Sequence, residues 1–193
     1  MSYDSPSISD YYREATQRIE SYLLQGIADE SRIVLDRERL AAELMNQYAF
    51  APIEIASGPQ RKAFKMREEM DDGYGRTGIG TVFYIRITLQ VKPNKNIQEI
   101  LRRIGSTYTY GPTDIRYVEG CLVTDMRAGN WDEEETEKAV TATVNNIQKE
   151  INWRNDAINQ ENAKLEARVN QVLDQRGAQI KEEAEQLKRL GGK

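Results

Sequence analysis

The clearest pattern along the chain is a two-residue alternation. Across residues 82–91, Phe83, Ile85, Ile87, Leu89 and Val91 alternate with Tyr84, Arg86, Thr88 and Gln90. That spacing predicts a strand with one apolar and one polar face. Upstream the spacing changes to three and four: Tyr12, Ala15, Ile19, Tyr22 and Leu23 predict a helix that Ser7 or Ser9 caps and that Gly26 and Asp29 end. After Ile33-Val34-Leu35, Asp36 opens a second helix with Leu40, Leu44 and Tyr48 on one face, and Pro52 stops it. Residues 59–72 are charged and read two ways, as a helix with Phe64 and Met66 half-buried or as a mobile connection. Beyond the strand, Pro93 and Asn94 turn the chain, and Ile97, Ile100, Leu101 and Ile104 predict a short helix closed by Gly105. Residues 115–118 and 121–126 flank Glu119-Gly120 as a two-residue hairpin.

From Asn130 onward every local signal is helical. Asn130 caps, Glu133 completes a capping-box pair, and residues 132–135 load the N-terminus with negative charge. Lys181, Lys188 and Arg189 lie near the far end, before Gly191-Gly192. Unbroken, residues 132–190 would measure about 90 Å, against ~35 Å for a compact domain. The helix is therefore expected to project or to fold back as a hairpin, with Asn155, Asn159, Asn162 and Gly177 as its weakest points. Val144, Ile151, Ile158, Leu165 and Val172 recur at intervals of seven. Their seam partners begin apolar with Val140 and Ile147, then become Arg154, Glu161 and Arg168. A dedicated zipper keeps both positions apolar, so this half-polar seam suits packing on the domain or on a partner. The five aliphatic residues form the candidate partner-binding row of a homo-oligomer or hetero-complex. The expected fold is α+β: a small, mostly antiparallel sheet with N-terminal helices and a long C-terminal helix or helical hairpin, divided into residues 1–129 and 130–193.

Composition closes several function classes. The chain has no histidine, which removes His-dependent triads and dyads, His-ligated zinc and the imidazole base. Its one cysteine, Cys121, stands in an apolar run and reads as an inert thiol, in keeping with a reducing, cytoplasmic setting. A net charge of −4 argues against general nucleic-acid affinity. No apolar run approaches the ~20 residues needed to cross a bilayer, so no membrane partner is expected.

Two motifs touch on chemistry. Gly73-Tyr74-Gly75-Arg76-Thr77-Gly78 matches G-x-G-x-x-G, but a strand follows where a dinucleotide site needs a helix, so the segment reads as a turn. A ligand at the 73–80 loop or around Tyr108 and Tyr110 is the sensing alternative. Asp71 or Asp72, followed by a strand ending Gln90-Val91-Lys92, follows the layout of metal-dependent restriction nucleases. There the carboxylates hold Mg²⁺ and a lysine polarises the attacking water. The second carboxylate before the strand is missing, because Ile79-Gly80-Thr81 stands in its place. No cofactor or metal is expected outside that alternative.

One resemblance spans roughly residues 10–190. Gly80-Thr81 leads into the 82–91 strand, residues 112–123 follow, and Ile147, Trp153, Asn155, Leu165 and Arg176 lie on the long helix. Together they resemble a bacterial segment that precedes an effector domain, of the Mrr-type nuclease or TIR class, in defence-associated proteins. That segment has a G-T strand, a P-x-A-x-I hairpin and a long helix with a central tryptophan. Thr113-Asp114 departs from the hairpin pattern, and the chain stops at Gly192-Lys193 where members of the group continue into an effector. The resemblance implies a regulatory, sensing or assembly module working with a separate effector, and it confers no catalytic residues.

Overall fold

The computed structural model describes residues 7–25, 28–71, 77–103, 115–129 and 131–191. The fold is α+β, with N-terminal helices, a four-stranded antiparallel sheet and one long C-terminal helix. Contacts divide the chain into two units, Met1–Ala51 with Asp156–Lys193, and Pro52–Asn155. That differs from a boundary at residue 129, because the long helix α5 (Glu133–Leu190) supplies its first part to one unit and the remainder to the other. The helix is a single element, so the hairpin alternative is not realised.

The first unit is helical. Ser7 caps α1 (Ile8–Leu24) through a reciprocal box: its hydroxyl accepts from the Asp10 N–H at 3.2 Å, and the Asp10 carboxylate accepts from the Ser7 N–H at 3.0 Å. The Ser7 hydroxyl, which also donates to the Asp10 carboxylate at 2.8 Å, and then the Ser7 N–H hold that carboxyl below its usual range. Tyr12, Ala15, Ile19 and Leu23 form the buried face, as the spacing predicts. Asp29 caps a helix missed in the sequence, α2 (Glu30–Leu35), while Asp36 precedes α3 (Arg37–Tyr48) without a side-chain cap bond. Polar bonds tie α5 to these helices: Arg168 to Glu20 and Arg176 to Glu30, both at 2.6 Å, and Arg37 to Asp174 at 2.8 Å.

The second unit is built on β1 (Gln60–Asp71), β2 (Thr77–Gln90), β3 (Arg116–Val118) and β4 (Cys121–Arg127), in the order β1-β2-β4-β3. Residues 59–72, read as helix or connection, are instead largely strand. Phe64, Met66 and Met70 fall on one face at spacings of two and four, with Glu68 between the methionines, and Gln60 to Asp71 pair continuously with Thr88 to Thr77. The expected short helix is α4 (Ile97–Arg103), and Ile104 and Gly105 lie outside the described residues. Ile85, Ile87, Leu89 and Val91 are buried, as the alternation requires. Phe83 is not. It is 60% exposed, because β4 pairs with β2 only as far as Tyr84↔Arg127, and past that point the sheet thins to a two-stranded ribbon. On the ribbon's other face Val82 is buried opposite Met66, and Gly80 leaves room for Met70, whose sulfur lies 2.2 Å from where a Cβ would stand.

Helix α5 is capped two residues later than the sequence suggests. The Asp132 carboxylate accepts from the Glu135 N–H at 2.8 Å, and Glu135 accepts from the Asp132 N–H at 3.2 Å. Asn130 lies outside the described residues. Val140, Thr143, Ile147, Glu150, Ile151 and Arg154 are its buried positions in this unit, with the Thr143 hydroxyl 3.7 Å from the Met126 sulfur.

The Glu119-Gly120 hairpin is present, with φ of 48° and 82° at the two turn residues. Both values are left-handed, the two-residue turn that matches strand twist. A non-glycine, non-Asx residue there costs about 1 kcal/mol. Glu119→Asn should therefore raise the urea midpoint by an equivalent of about 0.5–1 kcal/mol at unchanged m-value, and Gly120→Ala should lower it by a similar amount.

Candidate functional site

The aliphatic row assigned to a partner lies mostly inside the chain. Ile158 and Val172 are 0% exposed, Leu165 1% and Ile151 2%; Val144 alone is half-buried. Val144 lines a groove with Pro59, Arg61, Glu137 and Val140, where Arg61 pairs with Glu137. A partner could reach the other four only by displacing the chain's own elements, so the row is core.

Two of the three asparagines read as weak points of the helix, Asn155 and Asn162, turn out to be anchors, while Asn159 is exposed. In the second unit, Asn155 brackets Ile53: its Oδ1 accepts from the Ile53 N–H at 2.7 Å and its Nδ2 donates to the Ile53 carbonyl at 2.9 Å. In the first, Asn162 donates to the Phe50 carbonyl at 2.9 Å and accepts from the Tyr12 hydroxyl, which itself accepts from the Phe50 N–H at 3.1 Å. Burial pushes the Tyr12 phenol up to about 12, against the opposing pull of the Phe50 N–H. An amide in a helix interior competes with helix formation, and here that capacity satisfies extended backbone.

The residues of the nuclease reading are not brought together. Asp71 pairs with Thr77 at the start of β2, whereas Gln90 ends that strand, 13 residues farther along. At 3.3 Å per residue the two backbone positions are about 43 Å apart. Asp72 and the glycines 73 and 75 lie outside the described residues, as do Tyr108 and Tyr110. Lys92 has a structural partner, Glu54 at 2.5 Å, and Gln90 accepts from the Ser57 hydroxyl at 3.3 Å. Both side chains fasten the 54–57 segment beside the end of β2, where Ile55 bridges Val91. Among the described residues no group of three or more Cys, Asp or Glu side chains could hold a metal ion.

The surface that does stand open is the β1–β2 ribbon. β1 is an edge strand, and none of its described side chains is buried. Ile79 is 79% exposed, and Phe83, Met66 and Met70 are also exposed. No protein-family profile, curated protein or solved structure matches the chain. The surface must therefore be read from its own chemistry.

By pairing and alternation, one ribbon face carries Ile79 and Phe83 beside Glu69 and Lys65, and the other carries Met66 and Met70 beside Val82 and Gly78. On that second face Phe64 stacks on Tyr84 with centroids 5.6 Å apart, and the Arg86 guanidinium lies 5.0 Å from the Phe64 ring centre. Arg86 is held by Asp125 at 2.7 Å, and Arg116 reaches the same carboxylate at 2.5 Å. The bond from Arg86, seconded by Arg116, holds the Asp125 carboxyl below its usual range. Tyr84 donates to Glu68, and that bond raises the phenol's pKa. The ribbon's base is thus fixed by stacking and ion pairs, while its outer half presents apolar side chains to solvent.

Sequence reasoning missed this site by leaving residues 59–72 ambiguous. The signal was available: a period-two apolar set, a glycine-dense turn and a second period-two set make a hairpin. No helix among the described residues is long and apolar enough to cross a membrane.

Proposed function

We propose that this chain is a non-enzymatic interaction, assembly or sensing module that works with a separate effector protein, in a bacterial anti-phage defence setting. The resemblance of the 80–91 strand, the following hairpin and the long helix with Trp153 supports the setting. The observation that carries the interaction role is the ribbon: Ile79 and Phe83, at 79% and 60% exposure, stand on one face of a strand pair whose outer strand, among the described residues, is the edge of the sheet. Apolar side chains clustered on an accessible strand pair mark protein contact surfaces. Lack of histidine, and the separation of Asp71 from Gln90 and Lys92, weigh against chemistry on this chain.

Co-expression with the protein encoded beside it tests this reading. A stoichiometric complex that survives size-exclusion chromatography is expected. Ile79→Asp with Phe83→Asp should weaken it at least tenfold while circular dichroism stays unchanged. Absence of any complex with the wild type, or a complex indifferent to both substitutions, overturns the proposal.

A further inference from the structure

The β1 edge carries an asymmetry of charge. As far as residue 67 it holds Arg61, Lys62, Lys65 and Arg67, and from residue 68 on it holds Glu68, Glu69 and Asp71. Lysines on an edge strand ordinarily keep other strands away. That protection fails against an antiparallel copy of the same strand, which runs acidic where this one runs basic.

Two-fold pairing fixes the available registers. An axis perpendicular to the sheet preserves its faces, so the numbers of paired residues must sum to an even value. Centring the axis on Lys65 sets Arg61 against Glu69, Lys62 against Glu68, and Phe64 against Met66, each twice. Moving the axis to Met66 sets Lys65 against Arg67 and Phe64 against Glu68. Moving it to Phe64 sets Arg61 against Arg67. A parallel, in-register copy sets like charge on like throughout. The Lys65 register is the most complementary of these, with four opposite-charge pairs and two aromatic–thioether contacts of the kind that stabilise strand pairs. The two lysines at its centre each have an outlet: Lys65 is the register partner of Phe83, whose ring is 60% exposed and offers a face to the ammonium.

We infer that β1 is a homodimerisation edge, on which a second copy of this chain adds its own β1 antiparallel about Lys65 to make one continuous eight-stranded sheet. The inference deepens the interaction reading by naming the occupant of the edge. It leaves the Ile79 and Phe83 face of each ribbon available to an effector.

Sedimentation velocity on the full chain, from micromolar to several hundred micromolar, tests it with two charge-reversed variants, Lys62→Glu and Glu68→Lys. The wild type should show a concentration-dependent dimer that weakens with salt. Each variant alone, placing like charges across the axis twice, should dissociate ten- to a hundredfold more readily. An equimolar mixture of the two should dimerise again, since every reversed position then meets its opposite. Circular dichroism of the separate variants confirms that the fold is kept. A wild type that stays monomeric throughout, a dimer that survives either reversal, or a mixture that fails to re-associate overturns the inference. A wild type that forms the effector complex but no dimer removes the inference and leaves the broader proposal standing; a wild type that dimerises but binds no effector removes the effector role alone.

Discussion

Ile158→Asp is expected to abolish the folded state of the first unit. Ile158 is fully buried on α5, in the unit formed by Met1–Ala51 and Asp156–Lys193. Truncating a buried isoleucine alone costs about 2–5 kcal/mol, and a carboxylate left without a partner adds several more. That sum rivals the ~5–15 kcal/mol by which such proteins are stable at all. Urea denaturation followed by circular dichroism should show no folded baseline for Ile158→Asp at neutral pH, whereas Ile158→Val should lose only about 1 kcal/mol. The pH dependence has a definite sign. Burial would raise the aspartate's pKa above its unfolded value, so structure should return on acidification and be lost as pH rises. A variant with a native spectrum and an unchanged midpoint at pH 7 would place Ile158 on an open surface. Because Ile158→Asp is expected to unfold the first unit, any loss of self-association it caused would report unfolding, and the charge reversals on β1 are the cleaner probes of association.

Why the heptad pointed outward follows from helix geometry. A row at strict seven-residue spacing drifts about 20° per heptad on a straight helix, so from Val144 to Val172 it turns through roughly 80°. The buried face is wider than that row: Ile151, Ile158, Leu165 and Val172 keep the spacing and are all buried, and the face takes in the positions on either side as well. It passes through Ile147, Ile158 and Val169, eleven residues apart each time, and reaches Leu173 beside Val172. Val144 is left half-buried at one end, and of the seam residues Arg154 is buried while Glu161 and Arg168 are half-buried. Local features were legible wherever one short-range rule governed them: the α1 face, the β2 alternation, the Glu119-Gly120 turn. Features that depend on distant partners were not. Asn155 and Asn162 gain their roles from Ile53 and Phe50, each more than 100 residues away. Phe83 is exposed because β4 stops short, a fact of strand length that the alternation of β2 does not contain. The nuclease layout failed similarly, since closeness in an acid-strand-lysine pattern assumes that the acid and the strand's end share one end of the sheet. A continuous hairpin puts them at opposite ends.

The second large effect is expected at the buried ion pair of α5. Glu150 and Arg154 lie one turn apart, with side chains 1% and 5% exposed and 2.6 Å between charged atoms. The order, acid before base at four residues, is the favourable one on a helix, but burial changes the balance. Desolvation lowers the Arg154 pKa, and Glu150 opposes that shift. Removing one member of a buried ion pair costs about 3–5 kcal/mol, while replacing both by apolar residues of similar volume is neutral or stabilising by ~1–4 kcal/mol. Arg154→Ala should therefore lower the urea midpoint severely, and Glu150→Leu with Arg154→Met should restore or exceed wild-type stability. The double-mutant cycle isolates the coupling. A near-zero loss in Arg154→Ala would mean that water reaches the pair. A double variant as unstable as the single one would mean that the polarity of these two residues is itself required, to fix how this stretch of α5 packs. The seam position at Arg154, which the sequence marks as a polar break in a half-polar seam, is thus a constraint on the interior.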